Sequence, residues 1–346
     1  MTRPIRVFLI VARNDAQGQR AQAAPNRIPE QGFSIQIGHS MRVLRICAFA
    51  FAASLVAGSA AAQDVTGSIG PAAAVGCPGN PNALGVSRTV EIDTAGGPDF
   101  GAEQFKTYDF LQPGEVVLTF DDGPWPGNTP AVLNALAAQC TKAVFFPIGE
   151  HAMWHPEILK MVAAAGHTVG SHTWSHADLA KLPADQAQEE IEKGFSAVHA
   201  ALGRPEAPFF RFPGLSHTPE LVAYLGTRNI SAFSADFDSQ DFRIHRPDQV
   251  IASVMTKLKK NGKGIILMHD FQHGTALALP EILAQLKANG YRIVQVKAKA
   301  PVTTLAQYDE QVGKQLGGAS AASRPLENIV RTIDGTTFND RFSTVR

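Results

Sequence analysis

The chain has 346 residues, 45% of them apolar and 18% charged, with 31 basic and 31 acidic side chains. This composition can bury the core of one large domain or two small ones, and it fits neither a collagen-like nor a wholly disordered chain. A formal net charge of zero leaves no electrostatic argument for a nucleic-acid partner.

Residues 1–40 carry arginines without apolar periodicity, and a second methionine stands at Met41. From there "MRVLRICAFAFAASLVAGSAAAQD" has a basic start at Arg42 and Arg45, an apolar stretch over 46–57 and small residues at 60–62 before Gln63. That is the pattern of a secretory signal peptide, and its apolar stretch is short for a bilayer span. The reading is therefore that 41–62 is a signal peptide and 1–40 a start-site artefact or disordered extension. The product would be exported, to the periplasm or beyond; a long extension with an uncleaved anchor is the alternative. Residues 1–62 hold seven arginines and two acidic residues, so the remainder carries a net charge of −5 and has little attraction for an anionic membrane. Cys47 leaves with the signal. Cys77 and Cys140 remain as an even pair that an oxidising compartment would allow to bond, with two free thiols as the alternative.

Residues 63–113 are rich in Gly, Pro, Ala and Asn and read as an irregular N-terminal segment with one strand at 88–92. From 114 to 300 strand and helix patterns alternate. Strands are expected at 116–120, 143–148, 167–170, 209–212, 231–234, 264–269 and 291–296. Helices are expected at 130–139, capped by Thr129 before Pro130, and at 156–165, 184–202, 219–225, 247–260 and 278–289. Repeated β-α units predict a parallel sheet with outer helices, either closed as a barrel or open. Residues 307–346, within a C-terminal tail over 301–346, read as a loose polar segment.

The unusual polar residues fall at the carboxyl ends of strands, where such folds collect chemistry. Asp121 and Asp122 close "VVLTFDDGP", and "GSHTWSH" (170–176) follows the third strand. Arg211 lies in "FFRFPG", Asp236, Asp238 and Asp241 follow "AFSA", and His269 and Asp270 end "GIILMHD". His172 and His176 are four apart, so on a helical turn they would share a face and could bind one metal. Alone, such a pair is usually chance or surface. A carboxylate from another strand end would complete two imidazoles and one acid, with coordination positions left open. The cation would offset the paired charges at 121–122, one aspartate ligating and the other free as a base. Strand alternation would send those two neighbours to different sides. His269 reads either as a satisfied core histidine or as a general acid near neutral pKa. Arg211, in an apolar setting, needs a carboxylate, and Asp121 is the natural one. The set suits hydrolysis of an acyl bond through a tetrahedral intermediate.

"TFDDGP" (119–124), "SHTWSH" (171–176), "RFPG" (211–214), "DSQDF" (238–242) and "ILMH" (266–269) follow in the order of five motifs. By these the chain resembles the polysaccharide deacetylases, carbohydrate esterase family 4. The resemblance implies a distorted (β/α) barrel with fewer than eight regular units, parallel strands inside and helices outside. It makes Asp121 the general base, oriented by Arg211, and gives Asp122, His172 and His176 a divalent metal, zinc ahead of cobalt. Asp241 would pair with His269, which protonates the leaving group. Leu267 would line the acetyl pocket, and a backbone N–H of the turn Pro213, Gly214, Leu215 would hold the oxyanion. Two positions depart from the pattern. Gly214 replaces a frequent aromatic, keeping a backbone donor, and Phe242 replaces a usual Trp, losing the indole donor. The implied partner is an acetylated glycan, N-acetylglucosamine polymers first, acted on by a monomer with no membrane span once the signal is removed. The alternatives are hydrolysis of another linear or cyclic amide on the same fold, or a catalytically dead glycan-binding protein.

Overall fold

A computed structural model describes residues 77–322. The readings at the start site, the signal peptide, the beginning of the N-terminal segment and the last part of the tail lie outside the described residues.

The centre is β3 (Glu115–Asp121), every residue of which is buried. A run such as Val-Val-Leu-Thr-Phe, apolar on both faces of the pleat, belongs between two parallel neighbours. Its main neighbour is β9 (Gly264–His269), also wholly buried. Their register sets Val116 beside Gly264 and carries through to Asp121 beside His269. Sequence pattern thus brings two motif ends to one level of one sheet.

The remaining strands are β1 (Arg88–Ile92), β2 (Asp99–Phe100), β4 (Val144–Phe146), β5 (Thr168–Val169), β6 (Phe209–Phe210), β7 (Ser231–Phe233), β8 (Phe237–Asp238) and β10 (Arg292–Ala298). All pairings are parallel: β8-β9-β3-β4-β5 form one run, and β10 pairs the start of β3 and carries β1. Strands β6, β7 and β2 form a second short sheet, linked to the stretch just after β5 by an isolated bridge, Ser171 to Phe210. Among the described residues no ladder joins β7 to β8, so the barrel is open at that seam.

Helices α1 (Asn128–Ala138), α2 (Gly149–Trp154), α3 (Pro156–Ala164), α4 (Ala184–Leu202), α5 (Pro219–Thr227), α6 (Pro247–Asn261), α7 (His273–Ala288) and α8 (Ala306–Ala322) complete the structure. Helix α4 buries Ala187, Ile191, Phe195, Val198 and Leu202, the expected stripe, and ends on the left-handed Gly203. Phe120, Phe146, Phe195, Phe209, Phe210, Phe212 and Phe233 are all under 2% exposed. Each contributes about 1.5–3 kcal/mol of transfer free energy against the ordering entropy of the chain.

Several local expectations are corrected. Thr129 is not a cap: it lies inside α1, whose cap is Gly127 at φ 79, and its hydroxyl donates to Asp270 and accepts from the Trp125 N–H. Strands β2 and β8 are two residues each, too short to show a period. Helix α7 begins at His273 and runs through Pro280. The start of the segment read as a loose tail is α8, which packs on α4 with Val312 fully buried. Its sparse apolar residues give a weak signal, and packing rather than propensity holds it. Cys77 and Cys140 form a disulfide, fastening the N-terminal segment to the end of α1.

Candidate metal and acid–base site

At the end of β3 the backbone turns sharply. Asp122 has φ 71, a left-handed value unusual for a residue with a side chain. Strand alternation therefore does not decide where the two aspartates point; this step does. It is held by the Asp122 N–H donating to the Phe146 carbonyl at 3.2 Å and by His151 Nδ1, 2.6 Å from the Asp122 carbonyl. A Cβ at Gly123 would strike the Asp270 carboxylate, so any other residue there would have to displace that buried side chain.

The His172 and His176 pair does not sit on a helix. Residues 171–178 form a loop after β5 with Thr173 at φ 70 and His176 at φ 63, and Thr173 Oγ1 accepts the His176 N–H. The loop still converges the rings: His172 Nε2 lies 3.4 Å, and His176 Nε2 3.3 Å, from Asp122 Oδ1. Among the described residues this is the one cluster with metal-ligand geometry, its three donor atoms all within 4.8 Å of one another. His172 Nδ1–H donates to the Arg211 carbonyl at 2.7 Å, which leaves the Nε2 lone pair facing Asp122. Burial, and then His176, hold the His172 pKa well below its ordinary value, keeping that lone pair free. Asp122 Oδ1 is buried and has no hydrogen-bond partner. An orphaned carboxylate oxygen facing two imidazole nitrogens fits a divalent ion of the zinc type, with open positions.

Asp121 sits beside this cluster, 1% exposed, with Oδ2 at 3.9 Å from His172 Nε2. Its Oδ1 accepts from Arg211 Nη1 at 2.7 Å. Arg211 is completely buried, and its other donors reach Thr119 Oγ1, the Phe233 carbonyl and the Ser234 carbonyl at 2.7–2.9 Å. Burial raises the Asp121 pKa to about 6 although Arg211 and His269 pull it down. On the far side His269 Nδ1 lies 2.6 Å from Asp241 Oδ1, and Asp241 Oδ2 accepts the His269 N–H and the Thr275 hydroxyl. Burial alone would lower the His269 pKa; the bond to Asp241 and the charges of Asp241, Asp122 and Asp121 outweigh it and raise it to about 10. Its Nε2 is 3.8 Å from Asp122 Oδ2.

Phe242, 39% exposed, meets the His269 ring edge-on at 5.6 Å, and Leu267 is buried in β9 two residues before His269. Pro213, Gly214 and Leu215 form a tight turn directly after Arg211 and Phe212, with φ 58 at Gly214 and φ 55 at Leu215. Leu215 and Ser216 spend their N–H groups inside the turn, and Pro213 has none; among the described residues the Gly214 N–H donates to nothing. Asp236 and Asp238 lie apart from this cluster: Asp236 accepts the Ala102 and Ile265 N–H groups, and Asp238 the Gln240 N–H. One contributor carried no sequence signal: His151 gives no period or motif. Asp270, noted with His269 at the end of its strand but given no role, is 1% exposed with its pKa raised to about 7 by burial.

Fold and site define a β/α protein with a two-histidine, one-carboxylate centre flanked by a buried Asp–Arg pair and a His–Asp pair. The family model described as polysaccharide deacetylase matches residues 111–231. A chitooligosaccharide deacetylase of Bradyrhizobium is 30% identical over 155 residues, 45% of this chain and 70% of that protein. The peptidoglycan-N-acetylglucosamine deacetylase PgdA of Listeria monocytogenes is 33% identical over 184 residues, 52% of this chain and only 38% of its own length. A Bdellovibrio bacteriovorus peptidoglycan deacetylase structure superimposes with TM-score 0.56 at 36% identity, covering 62% of this chain and 59% of that one. The chain belongs to the polysaccharide deacetylase family.

Proposed function

We propose that the chain is a metal-dependent deacetylase that hydrolyses N-acetyl groups of an N-acetylglucosamine-containing glycan and releases acetate. One observation carries the reading: Asp122 faces two imidazoles while its neighbour Asp121 is held by Arg211, with His269–Asp241 opposite. A divalent ion held by Asp122, His172 and His176, zinc ahead of cobalt, supplies Lewis-acid polarisation and charge neutralisation. Asp121 takes the proton of the attacking water at Oδ2, since Oδ1 is occupied by Arg211. The Gly214 N–H donates to the developing oxyanion. His269 gives its Nε2 proton to the departing sugar nitrogen as the carbon–nitrogen bond breaks, and Asp241 steadies the imidazolium. Leu267 and Phe242 provide apolar wall.

The glycan class follows the names of the relatives, a peptidoglycan-N-acetylglucosamine deacetylase and a chitooligosaccharide deacetylase. Export of a monomeric catalytic unit spanning 114–300 belongs to the same proposal. The signal-like stretch at 41–62 and the Cys77–Cys140 disulfide support it. Among the described residues no helix is long and apolar enough to cross a membrane.

The test is acetate release from peptidoglycan, chitooligosaccharides and acetylated xylan, with and without chelator. Release from the first two that stops with chelator and returns with zinc is expected. Chelator-insensitive release would remove the metal from the reaction, and release from xylan alone would replace the N-acetyl assignment by an O-acetyl one. Glycan binding without any release would replace the enzyme by a binding protein.

A further inference from the structure

The segment before the family-matched region reaches the turn that follows Arg211. Strand β2 lies along β7, and the turn after it covers the open seam: Ser234 N–H donates to the Phe100 carbonyl, Glu103 N–H to the Ala235 carbonyl and Ala102 N–H to Asp236 Oδ1. Gly101 lies so close to the 234–235 backbone that a Cβ there would collide with it. This seating delivers Gln104 to the donor turn. Gln104 Nε2 donates to the Leu215 carbonyl at 2.7 Å and also to His217 Nδ1, while His217 packs on Phe105 and Phe212 at 5.1 and 5.6 Å between ring centres. The amide orientation follows from its partner, because a carbonyl can only accept.

Gly214 takes its left-handed φ freely, whereas Leu215, at φ 55, is a left-handed residue with a side chain, a conformation its surroundings must hold. Inside the turn the Leu215 N–H donates to the Phe212 carbonyl and the Ser216 N–H to the Pro213 carbonyl, so an outside bond to the Leu215 carbonyl restrains the short segment that carries the Gly214 N–H. We propose that Gln104 is a positioning residue: from outside the matched region it clamps the 213–217 turn and so aims the Gly214 N–H at the oxyanion. The inference rests on the deacetylase reading for its kinetic consequence and on geometry alone for the clamp.

The test uses the full chain and the variants Gln104→Ala and Gln104→Glu. Glutamate keeps the size of the side chain but its carboxylate cannot donate to the Leu215 carbonyl. Both variants are expected to lose about 10- to 100-fold in kcat, the cost of a misaimed group at a reacting centre, with KM within about twofold of wild type. Amide hydrogen exchange over 212–218 is expected to speed up in both, with zinc affinity unchanged because no metal-facing residue is touched. Faster exchange with unchanged kcat would reduce Gln104 to a structural contact and overturn the proposal. Wild-type kcat or a retained clamp in Gln104→Glu would overturn it as well. Should the wild-type protein release no acetate from any glycan, the deacetylase reading fails separately. The exchange arm then decides the clamp alone, unchanged exchange in Gln104→Ala overturning it.

Discussion

Asp121 and Glu206 are both buried carboxylates, placed in very different company. Asp121 lies under a guanidinium that spends three further hydrogen bonds on the surrounding strands, and it faces His172 across 3.9 Å. Glu206, between α4 and α8, has a side chain with no exposure and no hydrogen-bond partner in any other residue. His199 Nδ1 stands 3.6 Å from it and Asp309 adds a like charge. Burial accordingly raises the Glu206 pKa to about 8, whereas at Asp121 the neighbouring cations limit the rise to about 6. A buried charge is retained where the surroundings answer it; elsewhere the group gives up its charge.

The comparison breaks most visibly at Arg211. Arg211→Met leaves Asp121 buried without its guanidinium, and the unfolding free energy should fall by about 3–5 kcal/mol. Adding Asp121→Asn to that variant should restore part of it; a loss below about 1 kcal/mol in denaturant titrations would show that the pair is not compensating burial. Asp121→Asn alone should lower acetate release about 10²- to 10⁴-fold, the usual contribution of a general base. Chelation should lower the thermal midpoint of the metal-loaded protein by an amount equivalent to about 2.7 kcal/mol at a hundredfold metal excess over Kd, and not that of His172→Ala.

Glu206 supplies the opposite case. Its folded pKa lies above the unfolded value near 4.5, so the folded state binds more protons between the two. Stability should therefore fall as pH rises from about 4.5 to about 8, by at most about 1.4 kcal/mol per unit. Glu206→Gln should flatten that slope and gain about 1–2 kcal/mol at pH 8, its amide still lacking partners. A slope identical in wild type and variant would assign the effect elsewhere. Smallest of all, Lys299→Ala, which removes an exposed pair with Asp93, should leave the midpoint unmoved.

Much of this was readable from the chain. Val116–Phe120 and Ile265–Met268 declare central parallel strands by being apolar on both faces, and motif order placed Asp121, Asp122, His172, His176, Arg211, Asp241 and His269 at strand ends. The left-handed turns at Asp122, Thr173 and His176 were not legible, because nothing in residue type demands φ > 0 there; tertiary contacts such as His151 to the Asp122 carbonyl impose it. The histidine spacing suggested the right neighbours through the wrong local structure. Strands β2 and β8 and helix α8 escaped for a different reason: two residues show no period, and a polar helix resembles a loop until α4 is beside it.

Arg211 ends with a consequence beyond charge. Its guanidinium holds Asp121 and its carbonyl holds His172, so two halves of the site are gauged from one residue of one short segment. A displacement of that segment carries both together and preserves their separation. Rim side chains such as Phe242 and Trp125, 39% and 37% exposed, can then be exchanged without moving Arg211 or its two contacts. For engineering, the practical unit to transplant is the strand end with Arg211 and its two contacts, leaving the rim as the variable part.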